Sequence, residues 1–332
     1  MSSVDISDEL VNSFEEERKP IFKTFIGFII SSAIFFVLAI ICFIVGGLVY
    51  QSPTILIIAV VFFFVASLLF GIGFGYSNKF KNKFVSSIYA KYASLMYDKP
   101  VSNPSVGLSY ATIKESKFFK RADNYIGKEY FSGSYKGIKF EKCHYELQEL
   151  RQVHNQNGYT STVLVTFAEG IFMIFTLNRN IKHDFVVTER SFGGESGGYR
   201  QSQKIEFESY EYNKKYTTTC DSKMAAYYFG TPKFIEAMMT FDRTFSGNTY
   251  YRLFQNKIYM AVNNYRSKFK FSILKPISKE YIETFIDEIG VPRRIIDMLD
   301  FDSEKLNVEV LGGGINNVNW SNKERQYVSL KV

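Results

Sequence analysis

No Asp, Glu, Lys or Arg occurs from Thr24 to Asn78, and this uncharged stretch governs every further inference about the chain. Turn-forming residues at Gly46-Gly47 and at Gln51-Ser52-Pro53 divide it into two apolar segments. Each segment reaches the ~20 residues that a helix needs to cross a bilayer. Two segments cannot close a β-barrel, and a backbone in lipid must satisfy its polar groups internally. The sequence therefore predicts a transmembrane helical hairpin over residues 24–77.

Helix-like and strand-like patterns are interspersed in the rest of the chain, which predicts an α+β fold with a mixed cytoplasmic domain behind the hairpin. Apolar residues recur every three to four positions after Asn78 and predict an amphipathic helix, which either lies on the bilayer surface or simply leads into the domain. The predicted organisation is a lead at 1–23 whose helix ends near Pro20, the hairpin at 24–77, the amphipathic helix at 78–99, a first α+β segment at 108–190, a flexible Gly/Ser loop at 191–202, a second α+β segment at 203–301 and a tail at 302–332.

Both α+β segments contain a pattern typical of a β-hairpin. Ala168-Glu169-Gly170 separates two β-rich runs in the first segment, and Gln255-Asn256 does so in the second. The stretch from Phe167 to Met173 resembles the stretch from Phe254 to Met260 at a constant offset of 87 residues (254 − 167). This echo suggests that the soluble region holds two similar α+β halves, although strand pairs also resemble one another by chance.

Helix starts are predicted at Thr231-Pro232, Ser278 and Val291-Pro292.

The chain has a formal charge of +7, and basic residues flank the hairpin at its base, while the loop between the spans carries no charge. The basic residues at the base are Arg18, Lys19 and Lys23 before the first span and Lys79, Lys81, Lys83 and Lys91 after the second. By the positive-inside tendency, both termini are expected in the cytoplasm. The four lysines after the second span are the candidate contacts with an anionic lipid surface. The lipid bilayer is therefore the expected electrostatic partner, and no nucleic-acid partner is expected.

The spans contain no charged residue, which argues against a transporter, a proton relay or a pore built by oligomerised hairpins. Gly71 and Gly75 have GxxxG spacing, which is typical of close helix packing. These glycines either form a packing face between subunits or let the two spans of one hairpin approach each other.

The sequence contains no recognised catalytic, cofactor-binding or metal-binding motif. Cys42, Cys143 and Cys220 have no CxxC spacing and agree with a reducing compartment. Neither His144 nor His154 has a Cys or carboxylate at a usual ligand spacing, and the adjacent side chains of Cys143 and His144 point apart. Cysteine–histidine catalysis assembled from distant residues stays open at this point.

Four short motifs behind the two spans resemble a bacterial family known as domain of unknown function 3137. In chain order they are Ser116-Lys-Phe118-Phe119, Tyr125-Ile-Gly127-Lys-Glu129-Tyr130-Phe-Ser-Gly133, Phe167-Ala-Glu-Gly170-Ile-Phe172 and Ala225-Ala226-Tyr-Tyr-Phe229-Gly-Thr231-Pro232-Lys-Phe234. Gly127-Lys128-Glu129 stands where the family is expected to have Gly-Glu-Asp. The resemblance implies a bacterial inner-membrane protein without an assigned activity. Its members tend to be encoded beside LemA-like membrane proteins, which suggests such a partner.

Two classes of function are consistent with these observations. The first is a non-enzymatic, membrane-anchored cytoplasmic module that binds another protein, which a solid core with a wide exposed aromatic patch would favour. The second is a tethered enzyme or ligand sensor whose pocket combines tyrosines, His144 and acidic residues. A deep pocket with a histidine beside Cys143 or Cys220 would favour that second class.

Overall fold

The computed structural model describes residues 8–154, 160–190, 203–264 and 271–299. The predicted Gly/Ser loop at 191–202 and the predicted tail at 302–332 lie outside these ranges. The helices are α1 (Asp8–Ile44), α2 (Pro53–Ile88), α3 (Ser94–Met96), α4 (Tyr110–Glu115), α5 (Tyr210–Lys215), α6 (Lys223–Phe229), α7 (Pro232–Thr244), α8 (Lys279–Ile289) and α9 (Val291–Leu299), with π-helical turns at Val45–Val49 and Tyr89–Ala93. The strands are β1 (Asp98–Asn103), β2 (Asn124–Tyr135), β3 (Ile138–His154), β4 (Thr160–Glu189), β5 (Gln203–Ile205), β6 (Tyr216–Cys220) and β7 (Asn248–Asn263). This is the α+β fold that the sequence predicts.

Helices α1 and α2 form the predicted hairpin but extend well beyond the apolar segments. The prediction that the first helix ends near Pro20 is wrong, because α1 continues through Pro20 to Ile44. A proline inside a helix costs about 3 kcal/mol, and packing of α1 against α2 along the hairpin offsets that cost. Within the spans, Ser32 donates a 2.8 Å hydrogen bond to the carbonyl oxygen of Ala66 on the facing helix.

The bases of the two long helices form a stalk, defined here as residues 8–23 and 78–96. Its apolar face is buried against the domain: Phe84 stacks on Phe285 of α8 with ring centroids 6.2 Å apart. Phe80 contacts Phe271 at 5.9 Å, and Tyr97, directly below the stalk, donates a 2.8 Å hydrogen bond to the carbonyl oxygen of Ile289. The amphipathic pattern after Asn78 therefore belongs to a helix that leads into the domain, not to one whose apolar face is buried in lipid.

Strands from both predicted α+β segments join one seven-stranded sheet within the described ranges. The strand order is β1-β2-β3-β4-β6-β5, with β7 paired to β4, and every pairing is antiparallel. One edge of β4 pairs first with β3 and then with β6, while the other edge pairs with β7. β4 is thus the strand around which the sheet is organised. Pro100 lies in the edge strand β1, a position that tolerates proline.

The two predicted β-hairpins are wrong, because β4 and β7 each run through the proposed turn. Gly170 serves a close approach and not a turn: a Cβ atom there would lie 2.0 Å from the carbonyl oxygen of Val262 on β7. Gln255 has a φ of 55° and lies where the pairing of β4 with β7 shifts register, so it marks a bulge. The two similar stretches are neighbouring antiparallel strands in which Met173 lies opposite Met260.

Side chains alternate between two hydrophobic cores on the two faces of the sheet. Met173 and Phe175 of β4 face one core, which helices α7 to α9 and the stalk cover. Phe172 and Ile174 face the other core, which α4 and the segment around Phe118 cover. Aromatic side chains fill much of both cores.

Candidate functional site

Among the described residues, a cysteine, a histidine and a carboxylate come together at the end of β6. Oδ1 of Asp221 lies 3.6 Å from Sγ of Cys220 and 3.0 Å from Nδ1 of His183. The carboxylate thus stands between the thiol and the imidazole, whereas thiol activation needs the imidazole to contact the sulfur directly. Cys220 is fully buried, and burial raises the pKa of its thiol to about 11. The geometry does not match that of a cysteine nucleophile.

Cys143 and His144 lie on opposite faces of β3, as the sequence predicts. Burial raises the pKa of the Cys143 thiol to about 11, and the Tyr125 hydroxyl beside it donates a 2.6 Å hydrogen bond to the carbonyl oxygen of Leu108. Burial lowers the pKa of the His144 imidazole. Within the described ranges no group of three His, Cys, Asp or Glu side chains is arranged to hold a metal ion.

A surface depression of about 380 Å³ lies at the bulge between β4 and β7. It is lined by Leu177, Asn178, Asn180, Gln255 and Asn256. Its lining contains neither a cysteine nor a histidine. It therefore does not match the pocket, with a histidine beside Cys143 or Cys220, that would favour an enzyme or ligand sensor.

Two buried basic side chains serve as anchors for the fold. Arg252 donates hydrogen bonds of 2.7 Å to both carboxylate oxygens of Asp184 and to the carbonyl oxygen of Glu115. Lys142 lies under α8 and donates a 3.2 Å hydrogen bond to the carbonyl oxygen of Glu288. Burial lowers the pKa of the Lys142 ammonium, and the contact at the C-terminal end of α8 partly compensates for that burial. Both groups tie helices to the sheet.

The four lysines predicted to contact lipid follow one another down α2 and the π-helical turn below it. Lys79 and Lys83 are exposed, Lys81 is half-buried, and Nζ of Lys83 forms a 2.8 Å ion pair with Glu17 of α1. Lys91 is twelve residues beyond Lys79, which corresponds to about 18 Å along a helix axis. With the helix upright in a bilayer, Lys79 would lie near the lipid headgroups. Lys91 would lie about 18 Å farther from the bilayer.

Four exposed apolar side chains outside the spans lie on a two-stranded arm, defined here as residues 149–154 of β3 and 160–165 of β4. Pairing of β2 with β3 ends at Gln148, and pairing of β7 with β4 begins at Gly170. The arm therefore projects beyond the rest of the sheet. Leu150 lies opposite Leu164, and their side chains are 57% and 50% exposed. Val153 and Val163 are exposed on the opposite face.

Polar contacts fix the base of the arm on its β3 side. The carboxylate of Asp123 accepts a 2.9 Å hydrogen bond from the backbone N–H of Leu150. Glu149 pairs with both Lys120 and Arg151. These contacts fix the orientation of the arm, and the contact with Asp123 satisfies a backbone N–H group on the outer edge of β3.

Sequence reasoning did not find the arm. The available signal is the run Val163-Leu164-Val165, because three consecutive apolar residues in a strand must face both sides of it. Such a run is buried in a strand that is covered on both faces. This run is not buried because the neighbouring strands β2 and β7 end before they reach it. Those ends depend on long-range pairing that a single sequence does not specify.

Comparisons with known proteins support the family resemblance over part of the chain. The sequence model of a family described as "Protein of unknown function (DUF3137)" matches residues 166–301, so the resemblance is confirmed from β4 to α9. No curated protein matches the chain. Among solved structures, the crystal structure of the mycobacterial trehalose monomycolate transport factor A, TtfA, is similar with 8% identity and a TM-score of 0.32, covering 64% of this chain and 94% of that one. A likeness of that size carries no argument about fold or function.

Proposed function

We propose that this chain is a membrane-anchored cytoplasmic module without catalytic activity, and that it binds protein through the β3–β4 arm. The anchor is the hairpin of α1 and α2. Among the described residues, these two helices are long and apolar enough to cross a membrane, with mean hydropathies of 3.0 and 3.1 in their most apolar windows. Only 11% of each window is buried, unlike a core helix of a soluble protein. Lipid is the solvent that such a surface needs.

The orientation follows from the distribution of charge. The tip of the hairpin is uncharged, and basic residues gather at its base. This asymmetry supports an inner-membrane protein with both termini in the cytoplasm. Of the four lysines after the second span, Lys79 and Lys81 then lie nearest to anionic headgroups.

The stalk fixes the position of the domain relative to the membrane. Residues 78–96 span about 28 Å at the rise of a helix. Their aromatic side chains pack into the domain core, so the sheet is fixed to the hairpin and not tethered by a linker. A partner bound to the domain is held at a defined height above the bilayer.

The arm is the single observation that carries the proposed interaction role. It is anchored at its base, leaves the sheet and exposes apolar side chains on both faces. Exposed apolar surface on a strand edge is a template for pairing with another chain. A LemA-like membrane protein is one proposed partner, on the strength of the family resemblance alone.

Photo-crosslinking in intact cells tests this function. A photo-reactive amino acid replaces Leu150 or Leu164 in the full chain, and Leu274, which is 60% exposed on another part of the domain, provides the matched control. The proposal predicts discrete protein adducts from both arm positions and none from position 274. If the two arm positions give no protein adduct, or the same products as position 274, the arm is not an interaction surface. The full chain is needed because deleting residues 1–77 removes α1, which packs on the domain.

A further inference from the structure

We infer that the outer edge of β4 in the arm, Ser161–Val165, pairs antiparallel with the same edge of a second copy of this chain. The inference rests on the proposed interaction role of the arm and names its partner. The edge is available: among the described residues, no strand pairs with this stretch on the side opposite β3. Five residues extend over about 17 Å of strand.

The two edges of the arm differ in a way that selects β4. The β3 edge carries Glu149 and Arg151, and Asp123 caps the backbone N–H of Leu150. Charged side chains and capped backbone groups are the means by which proteins protect a strand edge from pairing. The β4 edge carries no charged residue from Ser161 to Val165. One edge is protected and the other is left able to pair.

The sequence of that edge suits pairing with itself. In an antiparallel register centred on Val163, each Val163 lies opposite its counterpart, Thr162 lies opposite Leu164, and Ser161 lies opposite Val165. No like charges oppose each other, and β-branched pairs stabilise neighbouring strands. The contact is isologous, as a two-fold dimer requires. Because the edge is uncharged, it has no charge pattern that would favour the strand of a different protein.

Pairing would turn two arms into one four-stranded ribbon. Directly opposed residues share a face, so Leu150 and Leu164 of both copies would lie on one side and Val153 and Val163 on the other. The ribbon would gain a third and a fourth strand, which a lone two-stranded arm needs for stability in water.

A feature of the spans supports a second copy as the occupant. A Cβ atom on Gly71 or Gly75 would have no neighbour within 4 Å, whereas one on Gly73 would lie 3.1 Å from Cβ of Phe28. Gly73 is thus the glycine that lets the two spans approach, and the prediction that Gly71 and Gly75 do so is wrong. Their GxxxG face stays open to a helix of another subunit. Two copies anchored in one bilayer also meet at a raised effective concentration.

Cysteine crosslinking of the full chain in proteoliposomes tests the register. Directly opposed residues in an antiparallel pair have Cα atoms about 4.5–5.5 Å apart, which is within reach of a disulfide. With copper–phenanthroline as oxidant, Val163→Cys is expected to give a disulfide-linked dimer. Val153→Cys is the matched control, because in the paired ribbon its counterpart lies three strand spacings across and four residues along the strands, about 19 Å away. A dimer formed equally well by Val153→Cys, or by neither variant, would overturn the inference.

A charge swap separates loss of pairing from loss of folding. Val163→Lys or Val163→Glu alone places like charges opposite each other and is expected to abolish copurification of two differently tagged copies. A mixture of the Lys and Glu variants is expected to restore copurification. If both single variants still copurify, or the mixture fails while each variant unfolds at the wild-type temperature, the pairing is refuted. Protein adducts from Leu150 and Leu164 without a Val163→Cys dimer would retain the proposed function and reject the second copy.

Discussion

The guanidinium of Arg18 donates a 2.7 Å hydrogen bond to the carbonyl oxygen of Ile273, 255 residues later in the chain. Arg18 also pairs with Glu15, whose carboxylate accepts a 2.9 Å hydrogen bond from the backbone N–H of Ile277. One turn of α1 thereby holds both ends of the segment that leads into α8. A residue that reads as a juxtamembrane positive charge in the sequence is a buried contact between the stalk and the domain.

Replacing Arg18 by Met should loosen the domain from the stalk. The change leaves the Ile273 carbonyl without its Arg18 donor and leaves the Glu15 carboxylate with only the Ile277 N–H, and an unsatisfied buried polar group costs about 1–3 kcal/mol. We expect a lower thermal unfolding midpoint in detergent and faster hydrogen exchange over residues 271–289. Lys19→Met, on the exposed neighbouring position, is the control and should leave both unchanged. Equal behaviour of the two variants would show that this contact does not hold the domain.

The same contact should make stability depend on pH. Hydrogen bonds from Arg18 hold the pKa of the Glu15 carboxyl below its ordinary value of 4.5. The unfolded chain therefore takes up this proton at a higher pH than the folded one, so the stabilisation is complete above about pH 4.5 and is lost as the pH falls through the folded pKa. Wild type should unfold at a higher temperature than Glu15→Gln at pH 7, and the gap should narrow below pH 4.5. A gap that is constant from pH 7 to pH 3 would contradict this account; Glu16→Gln controls for surface charge.

Cys220 should behave as a core residue and not as a nucleophile. Because its thiol is buried with a pKa raised to about 11, alkylation by iodoacetamide at pH 7.5 should require unfolding of the chain. His183→Ala should leave that slow rate unchanged, since Asp221 separates the imidazole from the sulfur. Peptide mass spectrometry of the alkylated full chain measures the rate. Rapid labelling in the native protein that His183→Ala abolishes would instead revive the enzyme alternative.

Lys79 and Lys91 should lie at different depths. The rise of a helix separates them by about 18 Å, so a spin label at position 79 in a reconstituted bilayer should sense the headgroup region. A label at position 91 should be relaxed only by a water-soluble reagent. Power-saturation measurements of the two labelled chains compare the depths directly. Equal depths would mean that this part of α2 lies along the membrane surface.

Local signals in the sequence were sufficient where local physics decides the structure. The uncharged stretch predicts the hairpin, and the side chains of Thr231 and Ser278 cap α7 and α8 as their positions indicate. Gly170 misleads because a glycine that admits a neighbouring carbonyl looks the same in the sequence as one that makes a turn. Pro20 misleads because tertiary packing overrides its local cost. The arm depends on where other strands end, which only the assembled sheet shows.

The most direct test of the account is the topology of the full chain in its membrane. In a Cys42→Ser background, where Cys143 and Cys220 are buried, a cysteine replaces either Tyr50 at the tip of the hairpin or Leu274 on the domain, both well exposed. With a membrane-impermeant maleimide, the account predicts labelling at position 50 in intact cells and labelling at position 274 only after permeabilisation. Labelling of both positions in intact cells, or release of the chain by alkaline carbonate, would contradict a cytoplasmic domain anchored by the hairpin.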